Sequence, residues 1–248
     1  MKTAILLMSV LSSILGLSAM GNSGDDSKRR EVVVLYSGGL DSSALAGMYG
    51  AKGYNVVHLL TFCNGAHFNL EYAKIKVREF EKEFPNTEFR HSMIPIAYPF
   101  KKFSLCSLER DIEDYHTNLV CVGCKMAMHA RAVLYALENN VSLVVDGFVA
   151  RQSHFPEQDP SFIDEIHKLY AQYNITYENP LYYIVKTKDD VKDILFRYNL
   201  STKSIEGECL FGDTFSTASS ENIRRYVQAK APLMNEYVDG WLTEKQKD

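Results

Sequence analysis

Glu31-Val32-Val33-Val34-Leu35-Tyr36 is a short β-branched run that stops at Ser37-Gly38-Gly39, and Ala44 to Ala51 continues with helix-forming and apolar residues. The pattern reads as strand, loop, helix. Tyr54 to Phe62 is predicted as a second buried strand. A helix from Leu70 to Phe84 should follow it, turning Ile75, Val77, Phe80 and Phe84 toward a sheet until Pro85-Asn86 stops it. Glu88 to Ile94 gives a third strand, and Pro95 to Asn118 is mixed, with Pro95, Pro99 and Lys101-Lys102 predicting a loop and a short helix. From Cys124 to Glu138, the positions of Met128, Arg131, Leu134, Tyr135 and Leu137 fit a helix, and Val141 to Val145 reads as a strand ending at Asp146-Gly147. A helix from Phe162 to Tyr173 and a strand from Tyr182 to Val185 come next. Thr187 should cap a helix running to Tyr198, with Asp190 in the capping-box position. Ser219 or Ser220 caps a last helix through Lys230.

Repeated β and α segments predict an α/β fold, a Rossmann-like doubly wound parallel sheet with ligands beyond the carboxyl ends of its strands. Three regions are expected: residues 1–30, an apolar segment and linker; 31–215, the α/β domain; and 216–248, a helical extension. With 248 residues, 46% of them apolar, the chain can bury one substantial core. A net charge of −4 supplies no general field for nucleic acid, so any RNA contact must be a local patch.

The first loop carries the most specific chemistry. Ser and Gly between a buried strand and a helix let backbone N–H groups approach phosphate, and the helix dipole favours negative charge there. Gly38 and Gly39 remove the Cβ obstruction, while Ser37, Ser42 and Ser43 offer further donors. Asp41 has the wrong charge for phosphate unless Mg²⁺ lies between them, so a metal is implied. The loop lacks the lysine of a Walker motif and the spaced glycines of a dinucleotide fingerprint. The competing reading is a tight turn with Asp41 as a helix cap.

Ser37-Gly38-Gly39-Leu40-Asp41-Ser42 resembles the S-G-G-x-D-S motif of the PP-loop ATP pyrophosphatase superfamily, at that family's place after the first strand. The resemblance implies an adenine nucleotide alpha hydrolase-like fold over 31–215 and cleavage of ATP to AMP and pyrophosphate. It also implies that backbone around Leu60-Thr61-Phe62 holds adenine. Asp146, beside Gly147 at a later strand tip, is expected as a second acidic group near the phosphates; a solvated turn is the alternative.

Cys121-Val122-Gly123-Cys124 places two thiols one turn apart at a helix start, where the dipole favours thiolate, and Cys209 follows far along the chain. Three thiolates suit an iron–sulfur cluster with one open iron, whereas zinc wants a fourth ligand from His129 or Cys106. Buried apolar thiols are the bland alternative. The three cysteines resemble those of the tRNA two-thiocytidine synthetase group of PP-loop enzymes. That resemblance implies a 4Fe–4S cluster at Cys121, Cys124 and Cys209 and transfer of sulfur to an adenylated base. Lys125-Met126-Ala127-Met128 replaces the arginine-rich stretch of that group, so the acceptor is left as tRNA, a nucleobase or a small molecule. His154-Phe155-Pro156-Glu157 and Phe162-Ile163-Asp164 resemble the middle of 7-cyano-7-deazaguanine synthase, which makes nitrile formation the second enzymatic reading. A non-catalytic ATP-binding module is the third.

Lys125 is expected to steady an ATP phosphate. Arg151-Gln152-Ser153-His154 should line the cleft, with His154 an acid–base candidate or merely exposed. Arg224, Arg225 and Lys230 read as a solvated helix face. Expected partners are ATP, the acceptor, a sulfur-donor protein and a second copy in a homodimer. Lys2 and the apolar run Ala4 to Met20 read as a signal peptide, while Lys28-Arg29-Arg30 behind the run favour an anchor instead; Met20 as the true start is the third account. An ATP-consuming domain with an odd cysteine set belongs in the cytoplasm, with export or anchoring through residues 3–20 as the alternative.

Overall fold

The computed structural model describes residues 29–212 and 216–245. Its strands are β1 (Glu31–Leu35), β2 (Val56–Cys63), β3 (His67–Phe68), β4 (Glu88–Pro95), β5 (Leu143–Val145), β6 (Thr176–Glu178) and β7 (Glu208–Cys209). Its helices are α1 (Leu40–Ala51), α2 (Val77–Glu83), α3 (Ala97–Phe100), α4 (Leu108–Tyr115), α5 (Val120–Glu138), α6 (Pro160–Gln172), α7 (Lys188–Arg197) and α8 (Ser220–Lys245). Five strands form one sheet in the order β4-β2-β1-β5-β6, and every neighbouring pair is parallel. The chain winds outward from β1 through β2 to β4, then returns to lay β5 against the other side of β1. That reversal makes the crevice between the ends of β1 and β5 the switch point where a ligand is expected. The α/β doubly wound fold read from the sequence is the fold observed.

A central parallel strand is covered on both faces, which is why β1 is an unbroken Val-Val-Val-Leu run rather than an alternating one. Val33 and Leu35 join a core with α5, α6 and α8, while Val32 and Val34 join a second core with α1, α2 and α7. Ile223, Tyr226, Val227, Met234 and Val238 bring the C-terminal helix into the first of these cores. Helix α5 is long and apolar enough to cross a membrane, but most of that stretch is buried between sheet and helices. Residues 3–20, expected as a signal or anchor, lie outside the described residues.

Four sequence expectations need correction, the first being Lys230, which is not on a solvated face but buried, its Nζ donating to Asp111 Oδ2 at 2.7 Å. Tyr182 to Val185 is not a strand: Ile184 N and Val185 N both donate to Leu181 O, folding the segment into a turn that buries Leu181 and Val185 four residues apart. The last strand of the sheet is β6, whose single inward residue, Tyr177, leaves no periodic signal in the sequence. The expected helix from Leu70 breaks into a 3₁₀ segment, Leu70–Ile75, and then α2. Three residues per turn carries Leu70, Ala73 and Lys76 inward and leaves Ile75 exposed. The final helix does not stop at Lys230 but continues through Pro232 to Lys245. Ser219 caps it, its Oγ accepting from Asn222 N at 3.1 Å, and the Thr187–Asp190 capping box of α7 forms as predicted.

Candidate functional site

The loop joining β1 to α1 is tightened by its own hydroxyls. Ser37 Oγ accepts from Gly39 N at 3.2 Å, Ser37 N donates to Ser42 Oγ at 3.3 Å, and Ser43 Oγ donates to Gly39 O at 2.6 Å. Gly38 adopts φ +84°, and a Cβ there would stand 3.0 Å from the Ala73 Cα, so both conformation and space require glycine. Helix α1 begins at Leu40, leaving its first-turn N–H groups without intrahelical partners beside the cavity.

That cavity, about 760 Å³, lies at the switch point. Ser37, Gly39, Asp41 and Ser42 form its loop wall, Thr61 and Phe62 its β2 wall, and Asp146 and Gly147 the end of β5. Cys121, Cys124 and Lys125 face it from α5, and Cys209 closes the remaining side. Leu60 lies behind this wall, fully buried, with its carbonyl accepting from Tyr36 N. Ser43 is also fully buried, and its hydroxyl is backed by Lys76 Nζ at 3.4 Å, which also donates to Ser201 O at 3.2 Å. Burial lowers the pKa of Lys76. Nothing in the local sequence marks Lys76 as special, because its burial depends on the 3₁₀ segment before it.

Both carboxylate oxygens of Asp41 accept from Arg151 Nη2, so any cation held there competes with an ion pair already made. Burial raises the Asp41 pKa and Arg151 opposes the rise. Arg151 reaches Asp41 from a 3₁₀ turn after β5, and its neighbour Gln152 lines the cavity. His154 is exposed and stacks against Phe155 rather than facing the cavity.

The three cysteines open on the same cavity. Asn64 Nδ2 donates to Cys124 Sγ at 3.5 Å and to Cys209 Sγ at 3.7 Å, while Cys121 Sγ donates to Phe211 O at 3.3 Å. Burial pushes the Cys124 thiol up to about 12, with Asn64 opposing. Three sulfur atoms on one cavity suit an iron–sulfur cluster as a donor set. Among the described residues, no group of three or more His, Cys, Asp or Glu is placed to hold a single metal ion. Neither suggested fourth zinc ligand joins them. Cys106 is exposed beside a different cavity, and His129 directs its ring nitrogens elsewhere.

His129 is fully buried, with Nδ1 3.1 Å from the Tyr170 hydroxyl and Nε2 3.5 Å from Asp146 Oδ2. Burial keeps Tyr170 protonated and His129 neutral, so Tyr170 donates to Nδ1 and the ring turns its remaining N–H toward Asp146. Asp146 itself is raised to about 6 by burial, against the opposing influence of Lys125 and the N–H groups of Gly147 and Phe148. Lys125 Nζ lies 4.9 Å from the centre of the Phe148 ring, which holds a positive charge at the cavity wall.

Among the solved structures similar to this chain are two of low identity. A protein described as a predicted subunit of tRNA methyltransferase from Methanocaldococcus jannaschii DSM is 20% identical, with a TM-score of 0.40, covering 73% of this chain and 96% of that one. The U34-tRNA thiolase NcsA from Methanococcus maripaludis, solved with its 4Fe–4S cluster, is 14% identical, with a TM-score of 0.44, covering 87% of this chain and 72% of that one. No curated protein matches. The family model described as queuosine biosynthesis protein QueC matches residues 31–192, from the first residue of β1 into α7. That match takes in well over half of the chain, which therefore belongs to the QueC family.

Proposed function

We propose that this protein is an ATP pyrophosphatase of the PP-loop type that adenylates a carbonyl acceptor and then replaces the activated oxygen. The observation that carries the reading is the meeting of the Ser37–Ser43 loop with Asp146, Lys125 and three thiols on one cavity at the switch point. In the first step the acceptor's carbonyl oxygen attacks the α-phosphorus of Mg²⁺-ATP, the bond between the α-phosphorus and the bridging oxygen breaks, and pyrophosphate leaves. The loop hydroxyls, backbone N–H groups and Lys125 stabilise the displaced charge. In the second step a nucleophile adds to the activated carbon and AMP departs with the former carbonyl oxygen. Asp146, with its raised proton affinity, is suited to accept the proton that the nucleophile releases.

Two nucleophiles divide the reading. Sulfur transfer draws support from Cys121, Cys124 and Cys209 lining the cavity. These three would hold a 4Fe–4S cluster, which would supply an open iron for exogenous sulfide. The acceptor is then a nucleobase, free or in tRNA, and a sulfur-donor protein is the natural partner. Nitrogen transfer, ending in an amide or nitrile, draws support from the family match, which ends at residue 192 and so omits Cys209. A cytoplasmic site, where ATP is available, and a homodimer complete the proposal.

The test uses an acceptor labelled with ¹⁸O at its carbonyl, Mg²⁺-ATP, and either sulfide or ammonia. Label recovered in AMP, with one pyrophosphate per turnover, is the expected result. ATP bound without cleavage in the presence of every acceptor tried would leave the binding-module reading in its place.

A further inference from the structure

Two carboxylates stand at the phosphate loop, and they differ in their partners. Asp41 has a guanidinium nitrogen on both oxygens. Glu206 has none: among the described residues no hydrogen bond or ion pair engages its carboxylate.

The backbone on either side of Glu206 is nevertheless held in place, while its side chain is exposed. Ile205 N donates to Gly38 O at 3.3 Å, tying the chain to the loop just before Glu206. On the other side, Gly207 packs so closely that a Cβ there would stand 2.6 Å from Phe68 O, and β7 then pairs with β3 through Phe68↔Glu208 and His67↔Cys209. The segment is a strap anchored on both sides of residue 206. It sets the carboxylate against Gly39, where an added Cβ would lie 2.7 Å from Glu206 Oε2 and 3.1 Å from Ser37 Oγ. Glu206 thus shares the loop wall of the cavity with the groups best suited to receive phosphate.

A carboxylate without a cation beside these N–H groups repels an unaccompanied phosphate chain. A divalent cation travelling with the chain reverses the sign, because Mg²⁺ accepts oxygen ligands from carboxylate and phosphate together. We infer that Glu206 makes the phosphate loop selective for a phosphate chain carrying a divalent cation and excludes bare anions from it. The inference rests on the nucleotide-binding reading above and adds a specificity residue to it.

Titration calorimetry with inorganic pyrophosphate and with ATP, each in MgCl₂ and in EDTA, tests it on the full-length protein, Glu206→Gln and Glu109→Gln. Wild type should bind pyrophosphate at least tenfold more weakly in EDTA than in Mg²⁺. Glu206→Gln should tighten binding in EDTA at least tenfold and lose most of the Mg²⁺ dependence, while Glu109→Gln, an exposed carboxylate outside the cavity, should behave as wild type. Equal Mg²⁺ dependence in wild type and Glu206→Gln overturns the inference, as does an equal gain in Glu109→Gln, which would make the effect one of general charge. If none of the proteins binds pyrophosphate or ATP in either condition, the nucleotide reading itself fails and takes the inference with it.

Discussion

Arg151 places one nitrogen, Nη2, on both carboxylate oxygens of Asp41, at 2.8 and 2.7 Å, joining the turn after β5 to the first turn of α1. The pair is mostly buried, so its loss should be felt in stability as well as in binding. Burial already raises the Asp41 pKa, and removing Arg151 removes the main opposing influence. Arg151→Gln should therefore cost about 1–3 kcal/mol at pH 7, where the carboxylate stays charged without its partner. The deficit should shrink as the pH falls and Asp41 takes up a proton. Urea unfolding of both proteins across that range checks it.

Asp146 gives a pH dependence of definite sign. Its folded pKa, about 6, lies above the ordinary 3.8, so the folded state binds the proton more tightly than the unfolded one. The stability this contributes is fully present below 3.8 and is lost as the pH rises through 6. Asp146→Asn has no such loss. Its stability relative to wild type should climb by about 2 kcal/mol between pH 4 and pH 7. A flat difference across that window would mean that Asp146 is not the desolvated acid described.

How much of this was legible in the sequence follows from how local each feature is. The Val-rich strand and Ser-Gly-Gly turn announce β1 and its loop because burial on both faces and the positive φ of Gly38 impose residue types at adjacent positions. Cys121 and Cys124 are visible for the same reason, one turn apart. The Asp41–Arg151 pair spans 110 positions and leaves no spacing to read. His129 looks like any helical histidine until β5 brings Asp146 to it, and Glu206 is one acidic residue in an unpatterned stretch until the strap sets it against Gly39. Strand β6 is missed because three residues with one inward side chain carry no period.

The thiols should differ in reactivity by position. Cys106 is exposed, Cys121 and Cys209 are partly buried, and Cys124 is buried with its thiol pushed up to about 12. Alkylation at pH 8 should proceed with Cys106 first and Cys124 last, since the thiolate is the reacting form. Mass spectrometry of timed samples reads the order. After anaerobic treatment with iron and sulfide, the sulfur-transfer reading expects Cys121, Cys124 and Cys209 to be protected together while Cys106 stays reactive. Unchanged labelling of Cys121, Cys124 and Cys209, with no visible absorption, would remove the cluster.

Lys76 poses a question that two measurements together can answer. It is 2% exposed, its ammonium is bonded to Ser43 Oγ and Ser201 O, and among the described residues no carboxylate pairs with it directly. Glu79, the nearest charge favouring the ammonium, accepts from Ser201 N instead. A buried cation so placed costs desolvation, and an apolar side chain of similar length avoids that cost, so Lys76→Met should leave stability at pH 7 within about 1 kcal/mol of wild type. The lowered pKa fixes the pH dependence: between the folded value and 10.5 the unfolded state binds more protons, so wild type should gain on the variant as the pH rises through that window. Binding, unlike stability at pH 7, should change. Lys76 braces Ser43 and brings positive charge up behind the loop, so pyrophosphate affinity should fall several-fold in the variant. A variant that lost several kcal/mol yet bound pyrophosphate as wild type does would make Lys76 a packing group. A stable variant with weakened binding makes it part of the phosphate site, held one layer behind the surface that phosphate touches.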